Sequence, residues 1–120
     1  MKKTLFTLLF LCSSVLFAQD TIPTSKVSEN IGKEVWVQGT IASVKIASEG
    51  KNTNYLNIDQ PYPDAVFTVV VSNKYLEEHQ LNLVESKGKK IRVKGTISVY
   101  EKDPKKTPQI FNPSQIIIKQ

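Results

Sequence analysis

Two stretches of this chain carry nearly the same pattern, and they constrain the fold more than any other feature. Ile31-Gly-Lys-Glu-Val-Trp-Val-Gln-Gly-Thr-Ile41 is echoed by Ser86-Lys-Gly-Lys-Lys-Ile-Arg-Val-Lys-Gly-Thr-Ile97. Each has a Gly-Lys start, an alternating strand, a glycine inside that strand, and then Thr-Ile. A glycine within a strand marks a bulge or a sharp bend. Two bent strands of this kind in about a hundred residues predict a small closed barrel rather than a flat sheet.

The first 18 residues stand outside that barrel. Lys2 and Lys3 precede an apolar stretch from Leu5 to Phe17, and Ala18 offers a small residue before Gln19. This is the pattern of a cleaved secretory signal peptide, and the expected address is periplasmic or secreted. An uncleaved anchor is the alternative, but the apolar run falls short of the roughly 20 residues a spanning helix needs. Lipidation at Cys12 is a third reading, disfavoured by Leu11 where a small residue is normal. Cleavage removes the lone cysteine, so the mature chain has no disulfide and no thiolate chemistry. Of 16 basic residues two leave, so 14 face 11 acidic ones, a net charge of +3. That is mildly basic, not the footprint of a dedicated nucleic-acid protein. The remaining 102 residues suffice for one domain with a modest core.

Along the chain, residues 19–24 read as a short polar lead-in, extended or loose. Residues 25–31 suit about two helical turns, capped by Thr24 or Ser25 and closed by Gly32. A first strand is expected over 34–45, with Val35, Val37 and Ile41 inward and Trp36, Gln38 and Thr40 outward. A second covers 54–59, with Leu56 and Ile58 inward and Tyr55 and Asn57 outward. Gln60-Pro-Tyr-Pro-Asp64 is a rigid turn, since two prolines fix φ and remove donors. A third strand covers 65–71, with Phe67, Val69 and Val71 inward. Ser72 caps a helix over 73–79, and Tyr75 and Leu76, with Leu81, Leu83 or Val84, would plug one end of the barrel. A fourth strand covers 89–100, with Ile91, Val93, Ile97 and Val99 inward. After a charged loop the fifth covers 109–119, interrupted near Asn112-Pro113. The order β-β-β-α-β-β predicts an all-β fold with one short inter-strand helix: a five-stranded Greek-key OB barrel over 32–120, preceded by the signal peptide at 1–18 and a lead-in with a short helix at 19–31.

The repeated strands resemble those of a known family, together with Tyr55-Leu-Asn-Ile-Asp-Gln-Pro-Tyr-Pro63, Phe67-Thr-Val-Val-Val71 and Asn112-Pro-Ser-Gln-Ile116. The chain is similar to bacterial OB-fold domains of the tRNA-anticodon-binding-like, or nucleic-acid-binding, OB superfamily, in a secreted single-domain form. The matching positions are mostly core, turn and bend residues. The resemblance therefore implies the fold strongly and a nucleic-acid ligand only as the default, since fold alone does not establish function.

The residues themselves point to binding rather than catalysis. His79 is the only histidine, and no nucleophile-elbow pattern accompanies it. Secreted nucleases on OB barrels need carboxylates for a metal and arginines for the phosphate, and Arg92 is the only arginine. Asn57, Asp59 and Asp64 are oxygen ligands of the type that suits Ca²⁺, but lack a recognised loop spacing, so no metal or other cofactor is expected. OB barrels that bind oligomers use the outer face of the second and third strands with the 1–2 and 4–5 loops. Here that face offers Tyr55, Asn57, Thr68 and Val70, flanked by Trp36 and Gln38. The loops add Lys51, Asn54, Lys102, Lys105 and Lys106. Aromatics that stack bases beside lysines that neutralise phosphate bind single strands with little sequence preference. The competing reading is that the rings cover barrel edges and the lysines keep the protein soluble. Lys90, Arg92 and Lys94 alternate on the fourth strand and form a secondary basic stripe, suited to phosphate or an anionic surface or simply to discouraging edge pairing. Two function classes follow: a module for single-stranded nucleic acid or an anionic polysaccharide, and an envelope protein-interaction or stress-related module with no nucleic-acid ligand.

Overall fold

The computed structural model describes residues 21–119; the segment expected to be a signal peptide, with Cys12, lies outside the described residues. β1 (Thr21–Pro23) leads into a 3-10 helix (Thr24–Asn30), followed by β2 (Glu34–Lys45), β3 (Thr53–Ile58), β4 (Phe67–Ser72) and α1 (Asn73–Glu78). β5 (Lys90–Thr96), β6 (Ser98–Val99), β7 (Pro108–Phe111) and β8 (Gln115–Ile118) complete the chain. No helix among the described residues is long and apolar enough to cross a membrane.

The two repeats pair with one another. Val35 lies opposite Gly95, Val37 opposite Val93, and Gly39 opposite Ile91. The copies run antiparallel about the Val37–Val93 pair, so each glycine faces a β-branched residue of the other copy. The glycines are there for closeness. A Cβ at Gly39 would stand 2.5 Å from Ile58 Cγ2, and one at Gly95 would stand 2.5 Å from Ile110 Cγ2. The bulge expected at the first glycine falls just after it. The register of β2 against β3 shifts between Ile41 and Ser43, where β2 leaves β5 and takes β3 as its partner.

The path of pairings is β6-β7-β4-β3-β2-β5-β8. Because β6 continues β5 and β8 continues β7, the two ends of this path meet and the sheet curls into the OB barrel. Period-two alternation fills it: Val37, Ile41, Leu56, Ile58, Phe67, Val69, Val71, Ile91, Val93, Ile97 and Ile110 are all buried. The fourth predicted strand is split at Ile97, whose amide donates to Lys33 O while its carbonyl accepts from Gly32 N. The fifth is split at 112–114, with Asn112 at φ 44° and its Oδ1 accepting from Ser72 N at 3.0 Å.

Two ends of the barrel are plugged. Ser72 caps α1, its Oγ accepting from Tyr75 N at 3.1 Å. Tyr75 and Leu83 are buried, Leu76 and Leu81 partly so, and Val84 is exposed, which removes it from the expected plug. The Tyr75 hydroxyl donates to Pro113 O at 2.6 Å, and burial pushes its pKa up to about 12. At the other end Val27 of the 3-10 helix is buried. The expected cap by Thr24 or Ser25 is absent. Thr24 instead donates to the Asp59 carboxylate, whose other oxygen accepts from Thr40 N at 2.9 Å. The lead-in is structured too: Thr21–Pro23 pairs in parallel with Trp36–Gln38 of β2.

Candidate functional site

Cross-strand register builds the floor of a groove from side chains of one parity. Ser43, Asn57, Thr68 and Gln109 follow one another across β2, β3, β4 and β7, and all four line it. One step along the strands lies a second row, Lys45, Tyr55, Val70 and Phe111. Side chains in register on one face stand close enough to act together. The groove above them has a volume of about 780 Å³.

Ser43, Asn57 and Thr68 satisfy one another within the floor. Asn57 Nδ2 donates to Ser43 Oγ at 3.0 Å, and Thr68 Oγ1 donates to Asn57 Oδ1 at 3.3 Å. Tyr62 N also donates to Ser43 Oγ, at 3.3 Å, which ties the Pro-Tyr-Pro turn to the floor. The 100–107 loop forms the opposite wall. Its shape comes from Asp103, whose carboxylate accepts from Lys105 N at 3.0 Å and Thr107 N at 3.2 Å. Lys105 Nζ donates to Pro63 O at 2.8 Å and straps the two loops together.

Three rings line this space: Tyr55 on the floor (37% exposed), Tyr62 in the proline turn (80%) and Tyr100 at the start of the far loop (55%). Exposed tyrosines at three points around a groove offer flat apolar faces for planar ligands, each with a hydroxyl at its rim. Lys45 and Lys105 add positive charge beside them, and Asp103, the one carboxylate in the lining, is occupied by the loop's own amides.

The structure brings together Tyr55, Asn57, Thr68 and Lys105 of the expected face and separates the others. Asn54 is fully buried and structural: its Oδ1 accepts from Ala47 N, and its Nδ2 donates to Val71 O and Asn73 Oδ1. Its neighbour Asn57 is also buried, as part of the floor rather than as a protruding contact. Val70 is buried, flanked in register by Tyr55 and Phe111. Lys51 lies outside the lining, where its carbonyl holds Asn73 Nδ2 at the start of α1. Lys102 and Lys106 share the loop of Lys105 without lining the groove, and Lys106 Nζ stands 3.5 Å from Glu101 Oε2. Trp36 and Gln38 are on the other sheet, because the parity of β2 carries over onto β5 before the shift at 41–43 and onto β3 after it.

Sequence reasoning missed Tyr62, Tyr100, Lys45 and Gln109. Tyr62 was legible as an aromatic held in a proline turn, and Lys45 by its parity with Ser43. Tyr100 and Gln109 reach the groove only because the β6–β7 hairpin brings β7 in beside β4.

A model of the family described as OB-fold nucleic acid binding domain matches residues 18–107 of the chain. No curated protein matches it. Among solved structures the chain is similar to the OBody AM3L15 bound to hen egg-white lysozyme, with 20% identity, a TM-score of 0.61, and 84% of this chain and 94% of that one covered. It is also similar to a putative aspartyl-tRNA synthetase from Leishmania major Friedlin (14% identity, TM-score 0.58, 82% of this chain and 20% of that one). A third likeness is to yeast Stn1 and Ten1 (12% identity, TM-score 0.58, 83% of this chain and 62% of that one). At these identities the likenesses show the fold.

Proposed function

The chain belongs to the OB-fold nucleic acid binding domain family, and from that premise we propose an exported, non-catalytic module that binds single-stranded nucleic acid or a similar anionic oligomer with little sequence preference. The observation that carries this reading is the groove, where Tyr55, Tyr62 and Tyr100 stand around a floor bordered by Lys45 and Lys105. Every base has a face to stack, so rings placed this way read no sequence. The floor amide of Asn57 is already paired on both sides, which withdraws it from base-edge discrimination. Export is supported by the Lys2-Lys3 start and the apolar stretch that follows. The non-catalytic reading is supported by His79, the sole histidine, whose Nδ1 lies 3.0 Å from Tyr75 O and whose ring stacks on that of Tyr75, with 3.9 Å between centroids.

The test is fluorescence anisotropy of a labelled thymidine oligonucleotide with the purified protein at low and raised salt. Saturable binding that weakens with salt and is lost in Tyr55→Ala/Tyr100→Ala supports the reading. No binding at low salt removes it. A second reading has a specific observation behind it. Exposed tyrosines and Phe111 are also what protein interfaces use, and the OBody, a similar barrel, is bound to a protein, lysozyme. Affinity capture from an envelope fraction, losing one partner in the same tyrosine variant while the oligonucleotide stays unbound, would favour this alternative.

A further inference from the structure

The sheet that does not form the groove carries its own ordered face. Across β1, β2, β5 and β8 run two rows: Thr21, Trp36, Lys94 and Gln115, then Pro23, Gln38, Arg92 and Ile117. The next step adds Thr40 and Lys90, with Lys119 N bonded to Lys90 O. Lys90, Arg92 and Lys94 therefore point out from one strand at alternate positions, roughly 6.5 Å apart along it. Lys90, Arg92 and Lys119 also line a cleft of about 440 Å³ between Gln38 and Ile117.

Arg92 is fixed in place. Its guanidinium lies over the Trp36 ring, 4.8 Å from the centroid, and Nη2 donates to Thr21 Oγ1 at 3.1 Å. Its Nε is buried without an acceptor. Among the described residues the ion pairs are Lys26–Glu29 and Lys106–Glu101, so none of these four cations is neutralised by a carboxylate. The one acid in the cleft, Asp59, already accepts from Thr24 Oγ1 and Thr40 N. Glu34 shares the face, at its far end opposite Thr96.

We infer that this outer face of β1-β2-β5-β8 binds a linear chain of phosphates, with Lys90, Arg92 and Lys94 meeting phosphates along it and Lys119 closing the cleft. The spacing of the cations along β5 is comparable to that of successive phosphates in an extended nucleic-acid strand. Trp36 is committed to Arg92, so contact here is by charge, in contrast to the stacking in the groove. The phosphates come from a phosphodiester backbone, or from inorganic polyphosphate, where they share a bridging oxygen and stand closer, so that each cation meets every second one. Where they are phosphodiesters the inference rests on the nucleic-acid reading above.

Trp36 is the chain's only tryptophan and sits under Arg92, so its emission reports on this face and not on the groove. The experiment measures oligonucleotide anisotropy against salt for the wild type and for Lys90→Gln/Lys94→Gln, and Trp36 emission on addition of inorganic polyphosphate. Removing two phosphate contacts should lower the slope of log affinity against log salt by about 1.4, since each contributes roughly 0.7 on a single strand. Oligonucleotide binding with an unchanged slope, and Trp36 emission unmoved by polyphosphate, overturns the inference and leaves the groove reading intact. No oligonucleotide binding, with Trp36 emission still shifted by polyphosphate in the wild type and not in the variant, overturns the nucleic-acid reading and assigns this face to polyphosphate. Silence toward both ligands overturns both. Should the double variant lose its fold, Lys119→Gln alone, on an exposed side chain, is read for a drop of about 0.7.

Discussion

A methyl group added at Gly39 or Gly95 meets an isoleucine methyl 2.5 Å away, and at Gly39 also Asp59 Oδ1 at 2.9 Å. Those isoleucine methyls branch directly from Cβ in a packed core, so they yield only by a change of χ1 that the neighbours resist or by a shift of β3 or β7. Gly39→Ala and Gly95→Ala are each expected to cost about 1–3 kcal/mol, read as a lower denaturant midpoint at unchanged slope. Gly39→Ala should be the worse, because it also disturbs the carboxylate that holds Thr24 and Thr40. Tyr75 is the other single residue with a measurable signature. Its hydroxyl is raised from 10.0 to about 12, so the fold favours the neutral phenol. That contribution is whole below the unfolded value of 10 and is lost as pH rises toward 12. Stability of the wild type should fall across this window more steeply than that of Tyr75→Phe. The phenylalanine variant should also be about 1 kcal/mol less stable at neutral pH, because Pro113 O loses its donor.

At the scale of elements, the two loops that wall the groove are joined by one bond, Lys105 Nζ to Pro63 O. Lys105 is thus a strap as much as a charge. Lys105→Met keeps the length and removes the bond and the charge. It should speed amide exchange in both loops while leaving the global unfolding free energy within about 0.5 kcal/mol of the wild type, as exposed positions usually do. The rings are a different case. Each of Tyr55→Ala, Tyr62→Ala and Tyr100→Ala is expected to weaken oligonucleotide binding by roughly 1–3 kcal/mol with little change in salt dependence. Tyr62 and Tyr100 are exposed, so their removal should leave stability unchanged and keep the binding measurement clean. Isothermal titration with each variant checks both points.

At the scale of the molecule, the barrel depends on residues ahead of its first long strand. β1 covers an edge of β2, Val27 plugs the barrel, and Thr24 anchors to Asp59 just past the end of β3. A chain beginning at Ile31 loses all three and is expected to be destabilised by at least about 2 kcal/mol, measured by urea unfolding. It also strips Arg92 of its Thr21 partner, so Trp36 emission should shift even without ligand. The two outer faces divide the chemistry: rings and amides over β2-β3-β4-β7, cations over β1-β2-β5-β8.

What the sequence by itself determined is what alternation and chain order encode. The repeated Gly-containing strands, the inward valines and isoleucines, the Ser72 cap and the break at Asn112-Pro113 specify which residues face the core and in what order the strands come. Those signals are local, a period of two or a turn within a few residues. Only the tertiary structure decided which outward residues share a surface. Trp36 and Lys45 lie on one strand, yet the shift at 41–43 sends them to different sheets. Tyr62 and Tyr100 are far apart in sequence and meet because the β6–β7 hairpin returns beside β4. Asn54 looked like a loop polar group and is buried, because three partners satisfy it from segments 7 to 19 residues away. Surface membership depends on register and strand exchange between distant segments, and no local pattern carries that information.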